Sequence, residues 1–247
     1  MKIQSYGATL TGSSGVNGDL FHISPDKKVY VLSDGASGAG KDGKVLMSNT
    51  CVEMAKQHDF STSSLEPGEY VDSLFWKMNC RLIELSQKSR TRFFGTVAIA
   101  VVDEDTLTVT TLGDSPAFLF CDGIIKRVAK SPRRYEDMIE QGHITREEYE
   151  GYTKQMHERM RSCFDNFLPD VVPNNVIEQH VIKPGDMFYM CSDGLSDWIA
   201  PDSVFATIAK NGVKNGIDML IVQAKELSLV RQNYYDDITA VAVYCRE

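Results

Sequence analysis

Long apolar runs are missing from this chain of 247 residues. The longest, Val97 to Val102, falls far short of the roughly 20 residues that a membrane-spanning helix needs, so no membrane partner is expected. Met1 to Gly12 has no apolar centre of the kind a secretory signal carries. Paired cysteines are missing too. Cys51, Cys80, Cys121, Cys163, Cys191 and Cys245 are scattered, with no C-x-x-C spacing. That pattern argues against a structural zinc site or a disulfide framework, and the expected setting is a reducing, cytoplasmic one. Basic charge is short as well: 26 Lys and Arg against 34 Asp and Glu leave a net charge of -8. Such a balance repels nucleic-acid phosphates, so no nucleic-acid partner is expected. The five histidines form neither H-x-x-x-H nor H-x-E, and no linker of low complexity or internal repeat interrupts the chain.

What is present is an ordinary globular composition, 43% hydrophobic and 24% charged, with enough length for a substantial core. Lys2 to Leu10, Leu20 to Ile23 and Lys28 to Leu32 read as strands, with the Gly/Ser-rich turn Thr11 to Gly18 between the first two. Lys44 to His58 reads as a helix. Val71, Leu74, Phe75, Met78, Leu82 and Leu85 mark the apolar face of a longer one, which core packing explains. Phe94 to Asp103, Thr106 to Leu112, Pro116 to Phe120 and Ile124 to Val128 follow as strands joined by short turns. Asp122-Gly123 stands at a hairpin position. Ser131 to Arg161 is polar and helical, and Thr145 with Glu148 makes a capping box. Val176 to Ile182 and Met187 to Cys191 are strands, Pro201 to Lys210 and Ile217 to Leu229 helices, and Ile238 to Tyr244 the last strand. Strands in blocks and helices in blocks predict an α+β fold, formed as one domain over residues 1–247.

Ser33 to Asp42, SDGASGAGKD, poses a choice. Gly35, Gly40 and Lys41 fit most of the phosphate-loop pattern G-x-x-x-x-G-K-[ST], yet Asp42 occupies the place of the magnesium-binding hydroxyl. That loop also belongs to parallel sheets with helical crossovers, whereas these strands run as meanders. The second reading takes Asp34 as a carboxylate at a strand end. Asp114, Asp193, Asp236 and Asp19 stand at the ends of four more strands. Each alone is a turn residue bonded to its own backbone. Brought to one sheet edge, they could not all ionise without a cation. Oxygen donors with no His or Cys nearby favour magnesium or manganese, and two such ions about 4 Å apart are suited to hydrolysing phosphate esters. Ser33-Asp34-Gly35 and Ser192-Asp193-Gly194 echo each other, with Gly allowing close backbone approach in both.

The ordered set Asn17-Gly18-Asp19, Ser33-Asp34-Gly35-Ala36-Ser37-Gly38, Gly95-Thr96, Gly113-Asp114-Ser115, Ser192 to Asp197 and Asp236-Asp237-Ile238-Thr239 covers nearly the whole chain. It resembles the metal-dependent serine/threonine protein phosphatases of type 2C. The resemblance implies a central sandwich of two antiparallel β-sheets flanked by helices, in α-β-β-α layers, with a flap-like helical segment around 131–170. It implies hydrolysis of phosphoserine and phosphothreonine in a phosphorylated protein substrate, through a water bridging Mn²⁺ or Mg²⁺, two or three ions in all. Asp34 would bridge two metals and Gly35 would offer its carbonyl. Asp193 and Asp236 would complete the first metal's carboxylates, and these three acids together would position the bridging water. Asp19 would serve the second metal, and Asp114, Asp193 and Asp197 match the ligands of a third.

Four positions depart from the family pattern. Ser14 stands where an arginine often binds the substrate phosphate, Ala36 where His or Met is common, Gly18 where an acid precedes the Asp19 equivalent, and Pro116 where an arginine follows Gly-Asp-Ser. Lys41, Arg133 and Arg134 are the candidates to bind substrate in place of the lost arginine. Two alternative functions follow from these departures: a metal-dependent hydrolase of non-protein phosphoesters, and a metal-binding regulatory module of the same fold with low activity.

Overall fold

The computed structural model describes residues 1–129, 145–151, 164–165 and 176–247. Arg133, Arg134 and most of the expected flap over 131–170 lie outside the described residues.

Eleven strands among these residues form two sheets. One has the order β1 (Lys2–Leu10), β11 (Ile238–Arg246), β10 (Met187–Cys191), β6 (Ala117–Cys121), β7 (Ile124–Val128). The other runs β2 (Asp19–Ile23), β3 (Val29–Gly35), β4 (Phe94–Asp103), β5 (Thr106–Leu112), β9 (Val176–Val181), with the short β8 (Phe164–Asp165) also on β4. Each pairing is antiparallel. The meander reading therefore holds, and the phosphate-loop context is excluded.

Two-residue alternation explains the layers. Along β3, Tyr30 and Leu32 point into the space between the sheets, where they pack with Ala98, Ala100, Val241 and Val243. Val29 and Val31 point the other way, onto Met47, Leu74, Met78 and Leu82 of α1 (Gly40–Gln57) and α2 (Pro67–Ser89). Both faces are covered, so the segment is apolar throughout instead of alternating. The sheet of β1, β11, β10, β6 and β7 turns Tyr189, Cys191, Ala240 and Ala242 onto Phe205, Ile208, Ile217 and Leu220 of two C-terminal helices. The result is the expected order helix, sheet, sheet, helix.

Local signals account for the element ends. Pro67 opens α2 within a capping box of Glu66 and Glu69, and Arg90 closes it in the left-handed region. Asp122 (φ 53°) and Gly123 (φ 75°) turn β6 into β7, as Asp-Gly predicts. Thr145 and Glu148 cap α3 (Arg146–Glu150) reciprocally, Thr145 N–H donating to Glu148 Oε2 at 2.7 Å and Glu148 N–H to Thr145 Oγ1 at 3.1 Å.

Three boundaries differ from the sequence reading. α1 starts at Gly40, four residues before Lys44, because a 3₁₀ turn over Ser37–Ala39 feeds straight into it. Asp193–Ser196 forms a one-turn helix, α4, where only a turn was expected. After α5 (Pro201–Asn211), Gly212 breaks the chain at φ 79° and α6 (Val213–Gln232) begins at once. No helix among the described residues is long and apolar enough to cross a membrane.

Candidate metal centre

Asp34 is the penultimate residue of β3, between Ser33 and Gly35, with Asp19 directly opposite on β2. Ser33 holds this strand end by donating its hydroxyl to Thr96 O at 2.9 Å. The loop entering β2 is organised by Asn17, whose side-chain oxygen accepts from Asp19 N–H at 2.9 Å while its amide donates to Thr9 Oγ1 at 2.8 Å. Thr9 in turn bonds Thr239 of β11 across the sheet edge at 2.7 Å. Ser192 ties β10 to β11 twice: its N–H donates to Thr239 O, and its Oγ accepts from Thr239 N–H, both at 3.0 Å. Asp193 follows Ser192 at the mouth of α4, and Asp236 lies just before β11.

The structure brings these acids within electrostatic reach of one another. Burial pushes the Asp34 carboxyl well above the usual carboxylate range, and the charges of Asp19, Asp193, Asp114 and Asp236 push it further. Burial likewise raises Asp193 well above its ordinary value, helped by Asp114, Asp236, Asp19 and Asp197. Asp19 is raised to about 7, chiefly by desolvation. The hydroxyls of Ser192 and Thr239 act in the opposite direction. Asp236 is raised by burial, with Lys44 and the Asp237 N–H working against the rise.

The fit to a hard divalent cation has two sides. The donor set is all oxygen, shares negative charge, and includes Asp19 Oδ2, a buried atom with no hydrogen-bond partner. A buried orphan acceptor of that kind is what a cation satisfies. Yet among the described residues no three His, Cys, Asp or Glu side chains already sit in ligating geometry. The acids suit magnesium or manganese in kind.

Glycines keep the backbones close here. A Cβ on Gly35 would lie 2.0 Å from Lys44 O, and one on Gly194 would lie 2.1 Å from Asp237 O. Each Asp-Gly pair therefore packs a neighbouring backbone segment directly against its glycine. Thr96 Oγ1 and Ser115 Oγ, both buried, hydrogen-bond at 2.5 Å and hold the turn that carries Asp114 against β4. Asp197 is exposed at the end of α4.

Lys41 is exposed in the first turn of α1 and contributes no hydrogen bond or ion pair to the acids. Sequence reasoning missed Lys44. It is 3% exposed, with Nζ 2.9 Å from Asp237 Oδ2 and 3.2 Å from Ser14 Oγ. A lysine inside an amphipathic helix normally signals a solvated face, so nothing in the pattern marked it. Gly18 was the available sign, because a side chain there would meet Lys44 Cδ at 2.7 Å.

No family model matches the chain. Over 135 residues it is 26% identical to the serine/threonine protein phosphatase PstP of Mycobacterium tuberculosis, a match covering 55% of the chain but only 24% of that relative's length. It is 24% identical over 237 residues to a putative protein phosphatase 2C-type of Streptococcus pyogenes, covering 92% of the chain and 91% of the relative. The crystal structure of the M. tuberculosis phosphatase PstP/Ppp superposes with a TM-score of 0.77 at 17% identity, covering 99% of both chains. The PstP catalytic domain in complex with two manganese ions gives the same TM-score at 19% identity, again over 99% of both chains. The chain has the fold of the metal-dependent type 2C protein phosphatases, with its strand-end aspartates gathered at one edge of that fold's sandwich.

Proposed function

We propose that the chain is a metal-dependent phosphoprotein phosphatase that hydrolyses phosphoserine and phosphothreonine. The observation that carries this reading is the convergence of Asp19, Asp114, Asp193 and Asp236 on Asp34 at one sheet edge, where burial and their charges hold the Asp34 and Asp193 carboxyls well above the usual carboxylate range. Asp34, the Gly35 carbonyl, Asp193 and Asp236 would hold one Mn²⁺ or Mg²⁺, Asp19 and Asp34 the second, and Asp114, Asp193 and Asp197 a third. Such ions, once bound, supply an acidified water and a clamp on phosphoryl oxygens. The chain's own part is to aim the carboxylates, through Ser33, Ser192, Thr239 and the two Asp-Gly turns, and to exclude water beneath them.

Ser14 carries no charge, and its hydroxyl is engaged with Val16 O, Val16 N–H and Lys44 Nζ. Lys41, Arg133 and Arg134 remain the candidates for substrate contact, the two arginines lying outside the described residues. The same proposal takes residues 1–247 as one phosphatase domain with a flap around 131–170, placed in the cytoplasm.

The test is hydrolysis of a phosphothreonine peptide and of a generic aryl phosphate, with manganese and with chelator. Manganese-dependent turnover of the peptide supports the proposal, and full activity under chelation overturns it. Turnover of the aryl phosphate alone points to a non-protein phosphoester. Metal binding without turnover of either points to the regulatory module that Ser14, Gly18 and Ala36 suggest.

A further inference from the structure

A buried ion pair adjoins the carboxylate cluster, and the chemistry above does not use it. The Lys44 and Asp237 side chains are 3% and 5% exposed, with Nζ 2.9 Å from Oδ2. Removing such charges from water is costly, and apolar residues of similar size often stabilise a fold as well or better. A buried pair of this kind therefore calls for a role beyond stability.

Its contacts indicate that role. Asp237 Oδ1 accepts from Gly12 N–H at 2.6 Å and Oδ2 from Gly18 N–H at 2.7 Å. Those two glycines bound the loop that leads from β1 to Asp19. Asp237 also follows Asp236 directly and donates its N–H to Asp236 Oδ1 at 2.9 Å. From the other side, the Lys44 carbonyl presses on Gly35, next to Asp34. The ion pair thus touches the segments that carry Asp19 and Asp236, while the backbone of the same lysine lies against the glycine that follows Asp34. Gly18 makes it possible, because any side chain there would collide with the lysine stem.

We propose that Lys44, acting through Asp237, is a positioning residue that holds Asp19 and Asp236 in register with Asp34 for divalent-cation binding. The inference rests on the metal-centre reading above and assigns Lys44 no contact with substrate. Partners of metal ligands usually set affinity by roughly 10- to 100-fold, and a loss in that range is expected when the pair is broken.

The experiment is calorimetric titration of MnCl₂ into the metal-free full chain as wild type, Lys44→Met, Lys44→Gln, Asp237→Asn and the Lys44→Met/Asp237→Asn double variant. Circular dichroism and melting in chelator report the fold separately. Lys44→Met and Asp237→Asn are each expected to weaken at least one Mn²⁺ by roughly 10-fold or more. The double variant is expected to be no weaker than the worse single one, because both act through one contact. Lys44→Gln keeps an N–H donor and is expected to fall between wild type and Lys44→Met. A folded Lys44→Met that binds Mn²⁺ within twofold of wild type, or more tightly, overturns the proposal whatever its melting temperature, and so do additive losses. Should Lys44→Met fail to fold, Lys44→Gln decides by the same comparison. If neither folds, the pair is a folding element and the proposal falls. A wild type that binds no Mn²⁺ overturns the metal-centre reading and this inference with it, whereas an indifferent Lys44→Met beside a binding wild type overturns this inference alone.

Discussion

Asp19 and Asp34 are direct cross-strand partners on β2 and β3, two carboxylates placed opposite each other, the first buried and the second half-buried. Side chains so placed share one face of the sheet, and like charges there destabilise the pair. The repulsion concentrates at the candidate metal centre, where a cation would turn it into binding energy.

Asp34→Asn and Asp193→Asn are each expected to remove manganese-dependent phosphatase activity by more than about 100-fold. Both substitutions relieve repulsion, so in chelator each variant should melt no lower than wild type. Steady-state assays beside thermal melts check both halves.

The metal-free protein should lose stability as pH rises. Asp19 has its folded-state carboxyl raised from 3.8 to about 7, so the native state holds a proton that the unfolded chain releases. The contribution is full below the unfolded value and is lost as pH climbs through about 7. Asp34 and Asp193 shift the same way. Urea midpoints in chelator should therefore fall between pH 5 and pH 7.5. Saturating Mn²⁺ should flatten or reverse that slope and release protons on binding, which titration in buffers of different ionisation enthalpy measures.

Gly194→Ala sets a Cβ 2.1 Å from Asp237 O, a contact that no rotamer can relieve. The expected cost is about 2–4 kcal/mol in urea unfolding. Mn²⁺ affinity should drop as well, because the Asp193 turn and the Asp236-Asp237 segment are forced apart.

Thr96→Val leaves the buried Ser115 hydroxyl without its partner at 2.5 Å. A loss of about 1–3 kcal/mol is expected. Adding Ser115→Ala should recover part of it, since removing both polar groups is cheaper than orphaning one. Urea denaturation of the two variants makes the comparison.

Leu74→Ala opens a hole between α2 and its sheet at a side chain that is 1% exposed. The expected destabilisation is about 2–5 kcal/mol with Mn²⁺ affinity unchanged. Melting and calorimetry on one preparation separate this packing loss from effects at the metal centre.

Much was legible in sequence because it is local. Alternation and apolar runs marked the strands, Asp122-Gly123 marked its hairpin, Thr145 with Glu148 marked its cap, and the Asp-Gly echoes marked the sheet ends. Asp34, Asp193 and Asp236 could be named before any contact was known, since each carries its own turn chemistry beside it. Lys41 drew notice for the same local reason, through its place in a near-match to a phosphate loop, and it is exposed on α1. Lys44 carries no local mark. Its partners Ser14 and Asp237 are 30 and 193 residues away along the chain. Covalent neighbourhood determines turns, caps and strand faces, so the sequence by itself decided which carboxylates stand at strand ends. Only the packing of α1 and the β1–β2 loop against the start of β11 decided which cation is buried among them, because desolvation and ion pairing depend on distance in space.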